Sequence, residues 1–529
     1  MAGLARRLTA CACALVAGFL TAASGAHAAP GGTLAWEECG DVGALCATAQ
    51  VPRDYDRPKG ETLDLFVAKL PATDPDRRIG SLFVNFGGPG VPTAFIVENF
   101  GPFLFPSLNE RFDLVAFDQR GAGRSEGAID CAVDQQAQGV FSKPIPTPFT
   151  LDVPALLRKD AAYVARCVAR NREILPYAST ANAARDLDFL RDAVGDKRLS
   201  YIGLSYGTVI GATYATLFPG RARALALDGA IDAAQYLNRP MRYRASQAAA
   251  LERALGRFLQ ACAADQVACA GFGGSDPWAA YDRLIEQADI TPIPADGYTP
   301  DPRPVTGDDL RLAAADMLTA KFVWGEFAHA LTAAANDDGS EIRRIVDEYF
   351  YGRQPDGSYD PYLDRAFNLS AIEQRYRKGD IRTYLDAGER CWEQYDHFYQ
   401  QCGYSELNYG LYPVRARDAF RGPFRNPGRA ATPLVIATTY DPATPYRGGL
   451  RLVRDLGNAR LLTARGDGHV AYGQSSACID EAVDAYLIEL VLPPAGTVCE
   501  QTVPFEPFEP EEAAARGAAP RHGPLARRR

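Results

Sequence analysis

The feature of the sequence that constrains the fold most is a serine with a glycine two positions before it and another two positions after it. This serine lies between an apolar segment and a helical pattern. Residues 199–203 form the apolar segment, Gly203-Leu-Ser-Tyr-Gly207 follows, and residues 208–217 have the helical pattern. A nucleophile on a strained strand-to-helix turn needs small residues two positions before and after it, because neighbouring backbones pack against it. An ordinary glycine-rich turn is the alternative. The position between strand and helix favours Ser205 as a nucleophile, with the next helix dipole stabilising negative charge.

Five further apolar segments that end at turn residues predict the neighbouring strands. They lie at residues 80–85, 112–117, 222–227, 433–438 and 459–463. Near-continuous apolar runs are typical of buried parallel strands. Helical patterns separate them, such as residues 181–194 with Thr180 as the N-cap. This alternation predicts a doubly wound, mostly parallel α/β sheet.

A mainly helical stretch at residues 230–429 interrupts the alternation, with one continuous helix expected at 308–334. We interpret it as a cap inserted between two sheet strands. The core is then divided into a first part at 29–229 and a second part at 430–508. Residues 509–529 are rich in Pro, Ala, Glu and Arg and are expected to form a disordered tail.

The N-terminus has the anatomy of a secretory signal peptide. Arg6-Arg7 precede an apolar run at 8–23, and Ala26-His-Ala28 supplies a small-residue cleavage pattern. We therefore expect residues 1–28 to be removed on export. The apolar run is short for a transmembrane anchor, the alternative, and no later segment is long and apolar enough to span a bilayer. The predicted protein is extracellular, without stable membrane insertion.

Cysteine usage agrees with export. Of the 12 cysteines, Cys11 and Cys13 leave with the signal peptide, and the others fall in sequence-local couples without the C-x-x-C spacing of zinc or redox sites. An oxidising compartment favours disulfides in such couples. The predicted pairs are Cys39–Cys46, Cys131–Cys167, Cys262–Cys269, Cys391–Cys402 and Cys478–Cys499.

Charge and motifs exclude other classes of function. The net charge of −9 argues against nucleic acid as the main partner, because phosphate binding needs a basic surface. We find no calcium-loop, phosphate-loop or dinucleotide-binding motif, and we expect neither a metal nor a cofactor.

The serine needs a base, and the positions of the five histidines restrict the choice. His469 follows the last predicted core strand, where a loop can carry its imidazole over the serine. The others lie in the signal peptide, the cap or the tail, where packing or solvation accounts for them: His27, His329, His397 and His522.

The histidine in turn needs a carboxylate to hold its tautomer. Asp441 lies just after a predicted strand and gives the chain order Ser…Asp…His. Asp228 also ends a strand and is the rival, although its neighbour Gly229 favours a turn role. Asp467 is too near His469 in sequence for a comfortable contact.

The oxyanion formed on attack needs preorganised donors. The amide of Tyr206, directly after the nucleophile, is one. The loop Phe86-Gly-Gly-Pro-Gly90 is expected to supply another, since its glycines let the backbone approach a substrate.

These motifs occur in an order that is similar to one known family. The matching segments are Val51-Pro-Arg-Asp-Tyr55, Asn85-Phe-Gly-Gly-Pro-Gly90, Phe117-Asp-Gln-Arg-Gly-Ala-Gly-Arg-Ser125, Gly203-Leu-Ser-Tyr-Gly-Thr208, Asp441-Pro-Ala-Thr-Pro445 and Gly468-His469. On these segments the chain resembles secreted bacterial tripeptidyl aminopeptidases and the wider prolyl-aminopeptidase-like group of α/β-hydrolases.

The resemblance implies a triad of Ser205, Asp441 and His469, with the amides of Gly88 and Tyr206 in the oxyanion hole, a cap over the cleft and no metal. It also implies that acidic groups of the cap hold a free substrate amine. Candidates for this role, which exposed helix-face charges would equally explain, are Glu326, Glu389, Glu393 and Asp396.

One departure from the family concerns the rim of the acyl site. Val91-Pro-Thr93 follows the Gly-Gly-Pro-Gly loop where the family usually has more small residues. This puts the family's substrate preference in question. The leading hypothesis is an exopeptidase acting on free N-termini. The others are a hydrolase of small apolar esters or lactones, since one triad serves both, and a hydrolase-shaped binding protein without turnover.

Overall fold

The computed structural model describes residues 34–509, so the predicted signal peptide and residues 510–529 of the predicted tail lie outside the described residues. The described residues form one ten-stranded sheet. In chain order its strands are β1 (Glu37–Cys39), β2 (Ala44–Pro52), β3 (Thr62–Leu70), β4 (Gly80–Asn85), β5 (Phe112–Phe117), β6 (Leu199–Leu204), β7 (Ala222–Asp228), β8 (Leu434–Tyr440), β9 (Arg460–Asp467) and β10 (Val498–Glu500).

The spatial order of the strands is β1-β2-β3-β5-β4-β6-β7-β8-β9-β10. The pairs from β5 through β10 are parallel, whereas the pairs among β1, β2, β3 and β5 are antiparallel. The predicted mostly parallel sheet is confirmed, and β4 and β5 have the predicted bounds. The apolar-run criterion did not identify β2 and β3, because buried and less buried residues alternate along them.

Helices pack on the sheet and form the insertion. In chain order they are α1 (Thr93–Leu104), α2 (Pro106–Asn109), α3 (Gln135–Gln138), α4 (Val153–Asn171), α5 (Thr180–Ala193), α6 (Gly207–Leu217), α7 (Ala233–Asn238), α8 (Pro240–Ala264), α9 (Pro277–Ile290), α10 (Gly307–Met317), α11 (Trp324–Ala335), α12 (Ser340–Arg344), α13 (Tyr362–Glu373), α14 (Ile381–Gln394), α15 (Leu407–Leu411), α16 (Tyr446–Leu456) and α17 (Ala477–Glu489). A π-helical turn, Ile345–Phe350, continues α12.

Both faces of the sheet are buried, which explains the continuous apolar strands. Successive residues of β6 point to opposite faces. Tyr201 packs in a cluster with residues of α5 and α6, whereas Ile202 packs in a cluster with residues of α1 and α17. The helices α7–α15 lie between β7 and β8. They therefore leave the core at the carboxyl end of β7, the edge where ligands bind in such sheets, and the chain returns to the opposite edge before it enters β8, which is parallel to β7.

Two helix boundaries were predicted wrongly. Ser179, and not Thr180, is the N-cap of α5, and its side chain accepts from the amide of Asn182 at 3.1 Å. The predicted continuous helix at 308–334 is divided into α10 and α11. In the break, the carbonyl oxygen of Thr319 accepts from the backbone amide of His469 at 2.6 Å, a contact that a continuous helix would not allow.

Five disulfides within residues 34–509 join the predicted cysteine pairs, which are thereby confirmed. Each closes a short loop, with sequence separations from 7 to 36 residues. Across the described part of the chain, we find no helix with the length and apolar character needed to cross a bilayer.

Candidate active site

Ser205 lies on the turn between β6 and α6, as its motif predicts. Its φ of +54° is in the left-handed region, which non-glycine residues rarely adopt. Its amide donates to the carbonyl of Asp228 on the adjacent strand at 2.8 Å. A Cβ atom on Gly203 would lie 2.5 Å from the carbonyl oxygen of Gly207. The glycines on either side of Ser205 therefore allow the turn to close.

The imidazole of His469 contacts the carboxylate of Asp441. The Nδ1 atom lies 2.9 Å from Oδ2 and 3.1 Å from Oδ1, and both side chains are buried. Asp441 also accepts from the amides of Ala443 and Thr444 at 2.8 and 2.7 Å, and from the Thr444 hydroxyl at 2.7 Å. These bonds fix the carboxylate, and with Nδ1 engaged the Nε2 atom of His469 is left available to accept a proton.

The two other aspartates near the base have different roles. Asp228 is fully buried and accepts from the amides of Ala471 at 2.9 Å and Tyr472 at 2.8 Å, so it fixes the loop after His469. Asp467 forms an ion pair with Arg257 of α8. The geometry therefore favours Asp441 over Asp228 as the acid of the triad.

The surroundings change the protonation of these groups. Burial opposes the charge of His469, but the nearby carboxylate of Asp441 outweighs it and raises the pKa of the imidazole above its usual value. Burial also raises the pKa of Asp228 to about 6, although the backbone amides that it accepts oppose the shift. A catalytic histidine with such a raised pKa is a stronger base once it is neutral.

The glycine loop after β4 lies directly against the nucleophile. A Cβ atom on Gly87, whose φ is +87°, would lie 2.6 Å from the Cβ of Ser205 and 2.4 Å from the carbonyl oxygen of Leu204. The amides of Gly88 and Tyr206, the two predicted oxyanion donors, donate to no acceptor among the described residues. Both residues line the same cavity as Ser205, so both amides are available near the serine.

A cavity of about 370 Å³ joins Ser205, His469 and these loops beneath the cap. Aromatic residues of the cap form much of its wall, including Tyr243, Tyr349, Phe350, Tyr362, Phe367 and Tyr409. Val91, from the segment that departs from the family, also lines it. Two charged cap side chains reach the cavity, Arg244 of α8 and Asp316 of α10. Neither residue could be identified from the sequence, because on a helix each is indistinguishable from a solvated surface charge.

The four acidic residues considered for amine binding lie elsewhere. Glu326 forms an ion pair with Arg344 at 2.8 Å, and Glu389, Glu393 and Asp396 are exposed. None of the four lines the Ser205 cavity. As predicted for a packed histidine, His397 binds Glu252 and Asp282, at 2.9 Å each.

Two clusters within residues 34–509 bring cysteine and acidic side chains close enough to suggest a metal. They are Cys39, Cys46 and Glu98, and Cys131, Cys167 and Asp364. In each cluster the two sulfur atoms form a disulfide, so they are not available as thiolate ligands.

Sequence comparison finds relatives over most of the chain. The sequence model of the TAP-like protein family matches residues 410–499. "Serine protease Hip1" of Mycobacterium tuberculosis is 32% identical over 468 residues, which cover 86% of this chain and 87% of that protein. "Carboxylesterase B" of the same species is 31% identical, covering 86% of each chain. "Tripeptidyl aminopeptidase" of Streptomyces lividans is 28% identical, covering 86% of this chain and 84% of that protein.

Proposed function

The chain belongs to the TAP-like family of α/β-hydrolases, and on this premise we propose that it is an exported aminopeptidase that releases short peptides from free N-termini. The observation that carries the proposal is that Ser205, His469 and the acidic cap residue Asp316 line one cavity, with His469 bonded to Asp441 behind it. The names of the relatives, a serine protease and a tripeptidyl aminopeptidase, support a peptide substrate.

In the proposed reaction, Ser205 Oγ attacks the carbonyl carbon of the scissile peptide bond while His469 Nε2 accepts its proton. Asp441 stabilises the resulting imidazolium through Nδ1. The amides of Gly88 and Tyr206 donate to the oxyanion, a contribution of about 10²–10³ in turnover for one donor. His469 then protonates the leaving amine, the acyl-enzyme remains on Ser205, and a water activated by His469 releases the N-terminal peptide.

The free amine of the substrate would bind Asp316. This residue lies near the end of α10, three residues before the threonine bonded to the His469 backbone, and it lines the Ser205 cavity. A carboxylate at this position would attract an α-ammonium group while the acyl carbon lies at the serine. A cavity of about 370 Å³ is at the small end of ligand sites, which agrees with a short peptide segment.

The proposal is tested with a panel of anilides and esters. Tripeptide, dipeptide and single-residue p-nitroanilides are compared as free amines and as N-acetyl derivatives, with Ser205→Ala as the inactive control. We expect cleavage of free-amine peptides and little cleavage of their acetylated forms. Asp316→Asn should raise KM for the free-amine peptides. Equal cleavage of free and acetylated peptides would contradict the aminopeptidase proposal.

A hydrolase of small apolar esters is the second candidate. The relative named carboxylesterase and the aromatic wall of the cavity favour it. Including p-nitrophenyl esters in the same panel separates the two functions, since ester cleavage alone, with every anilide intact, supports the esterase. Absence of labelling of Ser205 by a fluorophosphonate in folded protein would support a binding protein without turnover.

Export is the remaining part of the proposal. The five disulfides need an oxidising compartment, and the described residues contain no membrane-spanning helix. N-terminal sequencing of the protein recovered from culture medium should begin at Ala29. Retention in the cytosol with an intact N-terminus would contradict this assignment.

A further inference from the structure

Arg244 is a charged group of the cavity that the proposed reaction does not use. It lies on α8 and lines the cavity together with Ser205. Its guanidinium donates to the hydroxyl of Tyr409 at 3.0 Å and lies 6.0 Å from the centre of that ring. Among the described residues, no carboxylate oxygen lies within 4.0 Å of it. A guanidinium has five N–H donors, so Arg244 can donate further hydrogen bonds to a ligand in the cavity.

The other arginines in the interior of this protein are arranged differently. Each of the five arginines that are buried within residues 34–509 forms an ion pair with an aspartate: Arg120 with Asp186, Arg191 with Asp188, Arg311 with Asp289, Arg343 with Asp309, and Arg365 with Asp360. Such pairing is expected because a desolvated cation without a counterion is costly. Arg244 is held among aromatic rings without one, at the position where a substrate would bind.

Glu406 is an acidic group that interacts electrostatically with Arg244. Its carboxylate accepts from the amide of Gly403 at 2.9 Å and from the hydroxyl of Tyr376 at 3.0 Å. Burial raises the pKa of Glu406 to about 7, although Arg244 opposes the shift. Near neutral pH the carboxyl group is thus only partly ionised, and it compensates the charge of Arg244 only in part.

The helix that carries Arg244 is fixed relative to the triad. Gln247 Nε2 donates to the carbonyl oxygen of Ala443 at 2.7 Å, and the hydroxyl of Tyr243 donates to the same oxygen at 3.3 Å. Ala443 in turn donates its amide to Asp441. Arg244 is therefore positioned by the same loop that holds the catalytic carboxylate, as a specificity residue must be.

We propose that Arg244 binds a carboxylate side chain of the substrate, so that the enzyme prefers peptides with Asp or Glu in the segment that it releases. The inference rests on the proposed aminopeptidase function and adds a substrate class to it. A guanidinium and a carboxylate form two parallel hydrogen bonds, which give both orientation and binding. Glutamine has nearly the same shape as glutamate, but it is neutral and has only one acceptor oxygen. A comparison of Glu and Gln substrates therefore separates the contribution of charge from that of size.

The test compares tripeptide coumarylamides with free N-termini. Glu or Gln is placed at each of the three positions in turn, with Ala elsewhere. Because the C-terminal carboxyl group forms the coumarylamide, no substrate has a C-terminal carboxylate. For the wild-type enzyme we expect kcat/KM to favour Glu over Gln by about tenfold or more at one position. The ratio should fall to about one in Arg244→Gln and be intermediate in Arg244→Lys. Arg242→Gln, an exposed position on the same helix, should keep the wild-type ratio.

Two results would overturn the inference while leaving the aminopeptidase proposal intact. One is cleavage of the Gln peptides by the wild-type enzyme with no advantage for Glu at any position, and this result needs no variant to fold. The other is an equal loss of both substrates in folded Arg244→Gln, which would assign the arginine to the structure of the cap. Failure to cleave any free-amine amide would instead contradict the aminopeptidase proposal itself.

Discussion

The backbone amide of His469 donates to the carbonyl oxygen of Thr319 at 2.6 Å, so the loop that carries the base is attached to the cap. A second attachment lies two residues earlier, where Asp467 forms an ion pair with Arg257 of α8. The same guanidinium lies 3.8 Å from the centre of the Tyr440 ring, next to Asp441. Residues between β7 and β8 therefore contact the segments that carry His469 and Asp441, in addition to lining the cavity.

We predict that Arg257→Gln lowers kcat by roughly tenfold, because a small displacement of the base is sufficient for such a loss. The free energy of unfolding should fall by about 1 kcal/mol, because the buried carboxylate of Asp467 loses its cation. The loss is no larger because Arg257 itself is partly exposed. Steady-state kinetics and thermal unfolding measure both. Arg253→Gln, an exposed position one turn earlier on α8, is the matched control. Equal kinetics for both variants would exclude a role of the ion pair in positioning the base.

The assignment of the triad acid is tested by two aspartate substitutions. Asp441→Asn should lower kcat by about 10⁴, because an amide next to Nδ1 favours the wrong tautomer of His469. Asp228→Asn should mainly lower stability, since its carboxylate accepts the amides of Ala471 and Tyr472. Kinetics and melting temperature are compared for the two variants. If Asp228→Asn loses turnover while remaining folded and Asp441→Asn keeps it, the roles are reversed.

The strands and turns that carry the candidate triad could be predicted from the sequence for a physical reason. Buried parallel strands need continuous apolar residues, and a nucleophile turn needs glycines at fixed offsets, so both leave local signals. Ser205, His469 and Asp441 follow such strands directly. The positions of these three residues at strand ends could therefore be predicted without knowledge of any long-range contact.

The cap could be predicted only in outline, because distant contacts determine its details. The break between α10 and α11 accompanies a bond to His469, a residue 150 positions after Thr319. Thr180 is not the N-cap of α5, and its hydroxyl instead contacts the Tyr206 hydroxyl and the Glu373 carboxylate. Arg244 and Asp316 face the cavity only because of how their helices pack.

The pH dependence should report the ionisation of His469. The imidazole must be neutral to accept the serine proton, and Asp441 raises its pKa above the usual value. Activity should therefore rise with pH, and the midpoint of the acid limb of kcat/KM should lie above about 6.5. By linkage, the His469–Asp441 interaction stabilises the fold fully below about pH 6.5, and this stability is lost as the pH rises through the higher folded pKa.

Two variants identify the group that titrates. Asp441→Asn should move the midpoint of kcat/KM to lower pH, because the imidazolium loses its counterion. Asp228→Asn should move it in the same direction by a smaller amount, because Asp228 contributes less than Asp441 to the raised pKa of His469. A midpoint that moves with Asp228→Asn and not with Asp441→Asn would assign the acid limb to Asp228.

The contact between the glycine loop and the elbow gives the last prediction. Gly87→Ala would place a methyl group 2.4 Å from the carbonyl oxygen of Leu204 and 2.6 Å from the Cβ of Ser205. Either the glycine loop or the Leu204-Ser205 segment must move, and this movement would displace Ser205 from the amides of Gly88 and Tyr206. We expect turnover to fall by about 10² or more, as for the loss of an oxyanion donor.

Gly195→Ala is a control at a glycine with nearly the same φ. Gly195 has a φ of +86°, against +87° for Gly87, but a Cβ atom there would have no neighbour within 4 Å. Both variants bear the strain of a left-handed alanine, about 1 kcal/mol, and only Gly87→Ala disturbs the serine. A fluorophosphonate rate and kcat measured on both proteins separate the two effects. Equal losses in the two variants would mean that backbone strain, and not the contact with the elbow, accounts for the result.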